Sequence, residues 1–141
     1  ISKSKIMSLS EKIITYKRNK IEDSRGWFLK VINGTEFNLP KSTGEVYLTM
    51  ATPREMKGGH YHPLANEWFT LITGECLLKL EDMETKEYKE IFLNSDDPVS
   101  IYVPAGIAHA FFNVSKDVDF ILLAYSDQLF DPADTIPFTF A

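Results

Sequence analysis

The amino-acid sequence predicts an all-β domain, an antiparallel sandwich or barrel. About ten short apolar or alternating stretches recur at intervals of roughly ten residues, with turn signals between them. No stretch has the sustained periodicity of a long amphipathic helix. The aromatic share of 13% is above average and suits a barrel with a lined interior. At 141 residues the chain makes one domain and can bury a core without disulfides. We assign residues 1–10 to a flexible N-terminal segment and residues 11–141 to the folded domain.

Each element follows from local chemistry. Ser8-Leu9-Ser10-Glu11 has the spacing of a helix capping box. Ile13-Ile14-Thr15-Tyr16 is β-branched and aromatic, and the sequence favours a strand there. Asp23-Ser24-Arg25-Gly26 reads as a turn feeding a strand over 27–32, closed by Asn33-Gly34. Residues 45–50 alternate polar and apolar, as a strand with two different faces does, and Pro53 ends them. Gly58-Gly59 predicts flexible or bulged backbone. Residues 68–72 and 75–80 form a hairpin about Thr73-Gly74, and further strands are expected over 88–93, 99–103, 108–114 and 118–125. The tail from Ser126 lacks periodicity and reads as an irregular or strand-like extension that reaches a dimer partner. A homodimer is expected because sheets of this size expose edge strands that partners commonly cover.

Composition narrows the function. A net charge of -5 argues against a nucleic-acid surface, which needs a concentrated basic face, but permits a nucleotide-linked small molecule. Cys76 is the single cysteine and its alternating neighbours Leu78 and Leu80 place it in a buried strand, so packing is its favoured role. The apolar runs are too short to span a bilayer and residues 1–10 lack a signal-peptide core, so the expected location is cytoplasmic.

Two stretches carry the chemistry. His60 to Gly74 reads H-x-H-x4-E-x6-G, and Pro104 to Asn113 reads P-x-G-x2-H-x3-N. Alternate strand positions share a side, so His60 and His62 can present two imidazoles to one point, with Glu67 and His109 completing a site. All three histidines of the chain fall within these two stretches. Three imidazoles and one carboxylate suit one divalent metal ion, zinc, nickel, iron or manganese, with room for a further ligand. By the same alternation Phe111 and Asn113 share the side of His109, and Phe69 and Leu71 that of Glu67. Phe69, Phe111 and Asn113, with Arg54, are candidate substrate contacts; core packing is the competing role for Phe69 and Phe111, as for Leu71, and the anchoring of a strand edge for Asn113.

The two stretches resemble the paired metal-site motifs of the cupin superfamily, whose fold is a small jelly-roll barrel, the double-stranded β-helix. That resemblance implies His60, His62, Glu67 and His109 as the metal ligands. The glycines that often open each motif are replaced by Arg54 and Pro98. Lys57-Gly58-Gly59-His60-Tyr61-His62 and Phe130-Asp131-Pro132 further resemble the C-terminal cupin domain of nucleotide-sugar reductases of capsule biosynthesis. Asp23-Ser24-Arg25-Gly26-Trp27-Phe28 is similar to the entry segment of dTDP-4-keto-sugar 3,5-epimerases, to which the 3,4-ketoisomerases are related.

These resemblances imply epimerisation or keto-isomerisation of a nucleotide-linked 4-keto-6-deoxy sugar for a surface polysaccharide. In metal-free 3,5-epimerases the position of His60 is the base, a role that a metal ligand cannot easily share. Tyr47, Lys57 and Tyr125 are then the candidate proton-transfer residues. Arg54 and Lys57 are candidates to hold a diphosphate. Two rival functions remain open: a metal-dependent dioxygenase using the same four ligands, and a non-catalytic sugar-binding barrel.

Overall fold

The computed structural model describes residues 6–141. Twelve strands follow one another: β1 (Ile14–Lys17), β2 (Lys20–Asp23), β3 (Gly26–Leu29), β4 (Glu45–Ala51), β5 (Met56–Tyr61), β6 (Glu67–Thr73), β7 (Glu75–Asp82), β8 (Tyr88–Asn94), β9 (Val99–Val103), β10 (Ile107–Phe112), β11 (Phe120–Ser126) and β12 (Ile136–Pro137). Two five-stranded antiparallel sheets, in the orders β1-β9-β6-β11-β4 and β12-β5-β10-β7-β8, face one another, and β2-β3 forms a separate hairpin. This is the expected all-β architecture in jelly-roll form: from β4 onward successive strands alternate between the two sheets, except β7 and β8, which pair as a hairpin.

Alternation builds the core. On β7 Cys76, Leu78 and Leu80 point inward and are fully buried, and Ile101, Phe111, Phe120 and Leu122 meet them from the other strands. Burial raises the Cys76 thiol to about 12, which keeps it protonated and inert at neutral pH, in line with a packing role.

Three local expectations change. The capping box at Ser8 does form: Ser8 Oγ accepts from Glu11 N at 3.2 Å and Glu11 Oε1 from Ser8 N at 3.0 Å, over a one-turn helix, α1 (Leu9–Lys12). Both readings of this stretch are realised in succession, since β1 follows α1 directly. Leu9, assigned to the flexible segment, is 1% exposed and belongs to the core; residues 1–5 of that segment lie outside the described residues. The strand expected over 27–32 stops at Leu29, and its partner β2 carried no clear sequence signal because its exposed, charged residues need no apolar pattern. The tail lies on its own barrel, with Ile136 and Pro137 opposite Tyr61 and His60 of β5.

Two glycines shape the site from outside it. In the pairing of β10 with β5, His109 lies opposite His60 and Ala110 opposite Gly58, so Gly59 is the extra residue of a bulge. A Cβ on Gly58, whose φ is +87°, would sit 2.8 Å from the His109 carbonyl oxygen. Gly74 is equally confined: at φ +89° a Cβ there would come within 2.7 Å of the Asp119 carbonyl oxygen.

Candidate metal centre

The four expected ligands meet. His60 ends β5, His62 follows just beyond it, Glu67 opens β6 in the facing sheet, and His109 lies on β10. The imidazole centroids are 4.7 Å (His60 to His62), 5.0 Å (His60 to His109) and 5.5 Å (His62 to His109) apart. One nitrogen from each of the three lies within 4.8 Å of the others. Glu67 Oε1 lies 2.9 Å from His62 Nε2 and 3.4 Å from His109 Nε2.

Ring orientation is fixed from behind. His109 Nδ1 donates to the Ile107 carbonyl at 3.0 Å and His62 Nδ1 to the Asp134 carbonyl at 2.8 Å. A carbonyl oxygen only accepts, so each Nδ1 carries a hydrogen and, in the neutral ring, Nε2 carries a lone pair. His62 Nε2 and Glu67 Oε1 are both buried without a hydrogen-bond partner, even though they are close to each other. Two acceptors at that distance repel unless a proton or a cation lies beside them. The donor set and the two orphaned atoms therefore fit a divalent cation held by His60, His62, His109 and Glu67.

The charges pull the rings in opposite directions, and on His62 a proton facing Glu67 is the alternative to a cation. Burial first, then neighbouring His109 and His62, pull the His60 imidazole down to about 4, leaving it neutral. Burial works against the charged form of His62, yet Glu67 and the Asp134 carbonyl raise it above the ordinary value. Burial alone would raise the Glu67 carboxyl, but His109 and His62 hold it far below the carboxylate range. Tyr47 Oη donates to Glu67 Oε2 at 3.2 Å, and burial, then Glu67, push its phenol well above the usual tyrosine value.

His60, His62 and Glu67 form the floor of a cavity of about 380 Å³, with His109 buried behind them. Tyr47 and Glu45 of β4 and Ser126 of β11 make one wall, and Leu129, Phe130 and Asp131 of the C-terminal segment make another. Of the three proton-transfer candidates, only Tyr47 lines it. Tyr125 pairs with Trp68, one residue out of step with Ser126 and Glu67, so period two sends it to the outer face. There it packs 5.4 Å from Trp68 and its hydroxyl donates to Thr43 Oγ1 at 3.4 Å. Lys57 lies opposite Phe111, three positions before His60, and is exposed off the cavity.

None of the four candidate substrate contacts reaches the cavity wall. Phe69 and Phe111 are buried behind His109, with Phe69 5.3 Å from its ring and 4.8 Å from Phe111. They are packing that holds the imidazole in place. Asn113 Nδ2 donates to the carbonyls of Ala51 at 3.0 Å and Val118 at 2.9 Å, so its amide ties strand ends together. Arg54 sits in the turn between β4 and β5 with φ +67°, the conformation a glycine would adopt, which explains why glycine often stands there.

Sequence reasoning missed Glu45, Ser126 and Asp134. The first two were within reach, since Glu45 shares the strand face of Tyr47 and lies opposite Ser126. Asp134 had no local signal.

Residues 21–138 match the family described as the polysaccharide biosynthesis C-terminal domain. The chain belongs to this family. Among curated relatives, UDP-2-acetamido-2,6-beta-L-arabino-hexul-4-ose reductase of Pseudomonas aeruginosa is 26% identical over 123 residues, covering 87% of this chain but only 31% of the reductase. The spore coat polysaccharide biosynthesis protein SpsL of Bacillus subtilis is 25% identical over 121 residues, 82% of this chain and 79% of SpsL. Among solved structures, a dTDP sugar isomerase from Desulfovibrio desulfuricans G20 superposes with a TM-score of 0.82 at 17% identity, covering 92% of this chain and 85% of the isomerase. This chain shares its barrel fold with a 3'-monoepimerase and a 3,4-ketoisomerase as well, the cupin-type fold expected from the two motifs. No helix among the described residues is long and apolar enough to cross a membrane.

Proposed function

We propose that this chain is a metal-containing epimerase or keto-isomerase acting on a nucleotide-linked 4-keto-6-deoxy sugar in surface polysaccharide biosynthesis. The observation that carries this reading is the convergence of three imidazoles and Glu67, with two orphaned ligand atoms, where His60, His62 and Glu67 floor a cavity of about 380 Å³. That volume falls in the range of small-ligand sites and has room for a pyranose ring. The kinship with polysaccharide-biosynthesis relatives supplies the substrate class.

His60, His62, Glu67 and His109 would hold the cation. When bound, it supplies Lewis acidity that polarises a sugar carbonyl and eases proton loss from the adjacent carbon. Tyr47 keeps its phenolic proton and lines the cavity, so it can serve as a hydrogen-bond donor to a substrate oxygen on one face of the ring. Among the described residues, the cavity wall carries Glu45, Glu67, Asp131 and Asp134 but no Lys or Arg. The neutral sugar therefore occupies the cavity, and the anionic diphosphate stays at its rim, where Phe130 is 70% exposed.

A second reading rests on His60, whose neutral ring also suits the base of a metal-free epimerase. Elemental analysis of the purified chain separates the two. The first predicts one divalent ion per chain, lost in the His62→Ala/Glu67→Ala double variant; stoichiometric metal in that variant would sink the ligand assignment. NMR of a panel of 4-keto sugar nucleotides in deuterated solvent then tests the chemistry. Exchange of hydrogen beside the keto group is expected, and its absence from every substrate, despite binding, would leave a sugar-binding barrel. The homodimer belongs to this reading too, since edge strand β4 exposes Leu48 and Met50. Sedimentation at the mass of one chain would remove it.

A further inference from the structure

We infer that Asp134 is a positioning residue for His62, its main-chain carbonyl fixing the ring and its carboxylate fixing the loop that carries the ring. What the ring is for rests on the proposed metal site, but the positioning role does not. Asp134 is 7% exposed. Its Oδ1 accepts from Leu64 N at 2.7 Å and its Oδ2 from Ala65 N at 3.1 Å, both in the short link between His62 and Glu67. Charge-assisted bonds to two main-chain N–H groups in a buried setting hold that link firmly. The Asp134 carbonyl meanwhile takes the His62 Nδ1 hydrogen.

His109 provides the contrast. Its Nδ1 partner is Ile107, two residues away on the same strand, so its hydrogen-bond partner is supplied by β10 itself. His62 instead depends on a residue 72 positions further along the chain. The segment bearing Asp134 is itself pinned at several points. Asp127 takes Asn66 N and Asn66 Nδ2, each at 2.9 Å, Asp131 Oδ1 takes Ala133 N at 2.9 Å, and Phe138 N donates to the Gly59 carbonyl at 2.9 Å. Leu129 and Phe130 of the same segment form cavity wall, so an occupant of the cavity touches the piece of chain that aims His62.

The test uses the full chain labelled with 15N, in wild-type, Asp134→Ala and Asp134→Asn forms, with NMR of the imidazole nitrogens followed by titration with Zn²⁺. In the wild type, at a pH where the ring is neutral, His62 is expected as the single Nδ1–H tautomer. Asp134→Ala should turn it into a tautomer mixture, leave His109 unchanged and raise the Zn²⁺ dissociation constant about 10- to 100-fold. Asp134→Asn keeps an acceptor for one of the two N–H groups and should fall between; it carries the measurement if the alanine variant does not fold. Both variants keep the main-chain carbonyl, so a single unchanged His62 tautomer in the folded variant would overturn the inference by showing that the Asp134 carboxylate is not needed to aim the ring. Equal loosening of His109 would also overturn it, by showing general damage. If the wild type binds no Zn²⁺ but His62 still loses its tautomer in the variant, the positioning role stands and the metal reading falls.

Discussion

The cavity floor and the knot around Asn113 are both buried, polar and built at strand ends, yet their atoms are treated in opposite ways. Asn113 gives both amide hydrogens to carbonyls, and its Oδ1 accepts from Ser115 N at 3.0 Å. Around His62 and Glu67 the facing atoms are left without partners, although each costs about 1–3 kcal/mol if nothing fills the gap. A buried polar group that is fully paired holds the fold; one that is left facing another acceptor waits for something from outside the chain. Side-chain type did not separate the two, since an asparagine and a histidine can each play either part.

The contrast can be broken most directly at Glu67. On the proposed metal reading, Glu67→Gln is expected to cut metal affinity at least about 100-fold while the unloaded protein melts within a few degrees of the wild type. Isothermal titration and thermal melts, run side by side, check both halves. Asn113→Ala should do the reverse, costing about 2–4 kcal/mol in urea unfolding with metal affinity changed less than about threefold. A large affinity loss there would merge the two regions.

Between these sits Gly58→Ala. Its Cβ would press on the His109 carbonyl at 2.8 Å from a φ of +87°, so a loss of about 1–3 kcal/mol is expected together with weaker metal binding, since the bulge sets His60. An effect on stability without one on metal would detach the bulge from the site.

Acidity sharpens the comparison further. In metal-free protein His60 should titrate at about 4, seen in its ring proton shifts. A histidine held below its ordinary 6.5 contributes stability that is full above 6.5 and is lost as pH falls toward 4. His62, shifted upward, works in the other sense, its contribution present below 6.5 and lost as pH rises through its folded value. Replacing His60 by Asn should therefore flatten the acid side of the stability curve; an unchanged slope would count against burial as the cause. The smallest effect is expected at Arg54→Gly, where relief of the left-handed backbone and the entropy of glycine nearly offset, leaving a change in unfolding free energy of about 1 kcal/mol or less. Substrate affinity should not move, as Arg54 does not line the cavity.

Much of the fold was legible because jelly-roll strands announce themselves by period two: β4, β6, β7, β9 and β11 all begin or end within a residue or two of where alternation and turn residues place them. The hairpin β2–β3 was half hidden, since exposed strands have no apolar face to reveal. The four ligands were legible because spacing within each motif is local. Tyr125, Lys57, Arg54 and Asn113 misled because alternation says which residues share a face but not which face looks at the cavity, or how far along the barrel it lies.

The sequence by itself determined the all-β class, the two motifs and the identity of His60, His62, Glu67 and His109, because each is written in spacing over a few residues. Only the tertiary structure decided that Tyr47 shares their cavity, that Asn113 is a tie, and that Asp134 reaches back to aim His62. The reason is physical: strand alternation is a local property of the backbone, whereas the pairing of β11 with β4 and of β12 with β5 brings together atoms whose separation along the chain carries no trace of their contact.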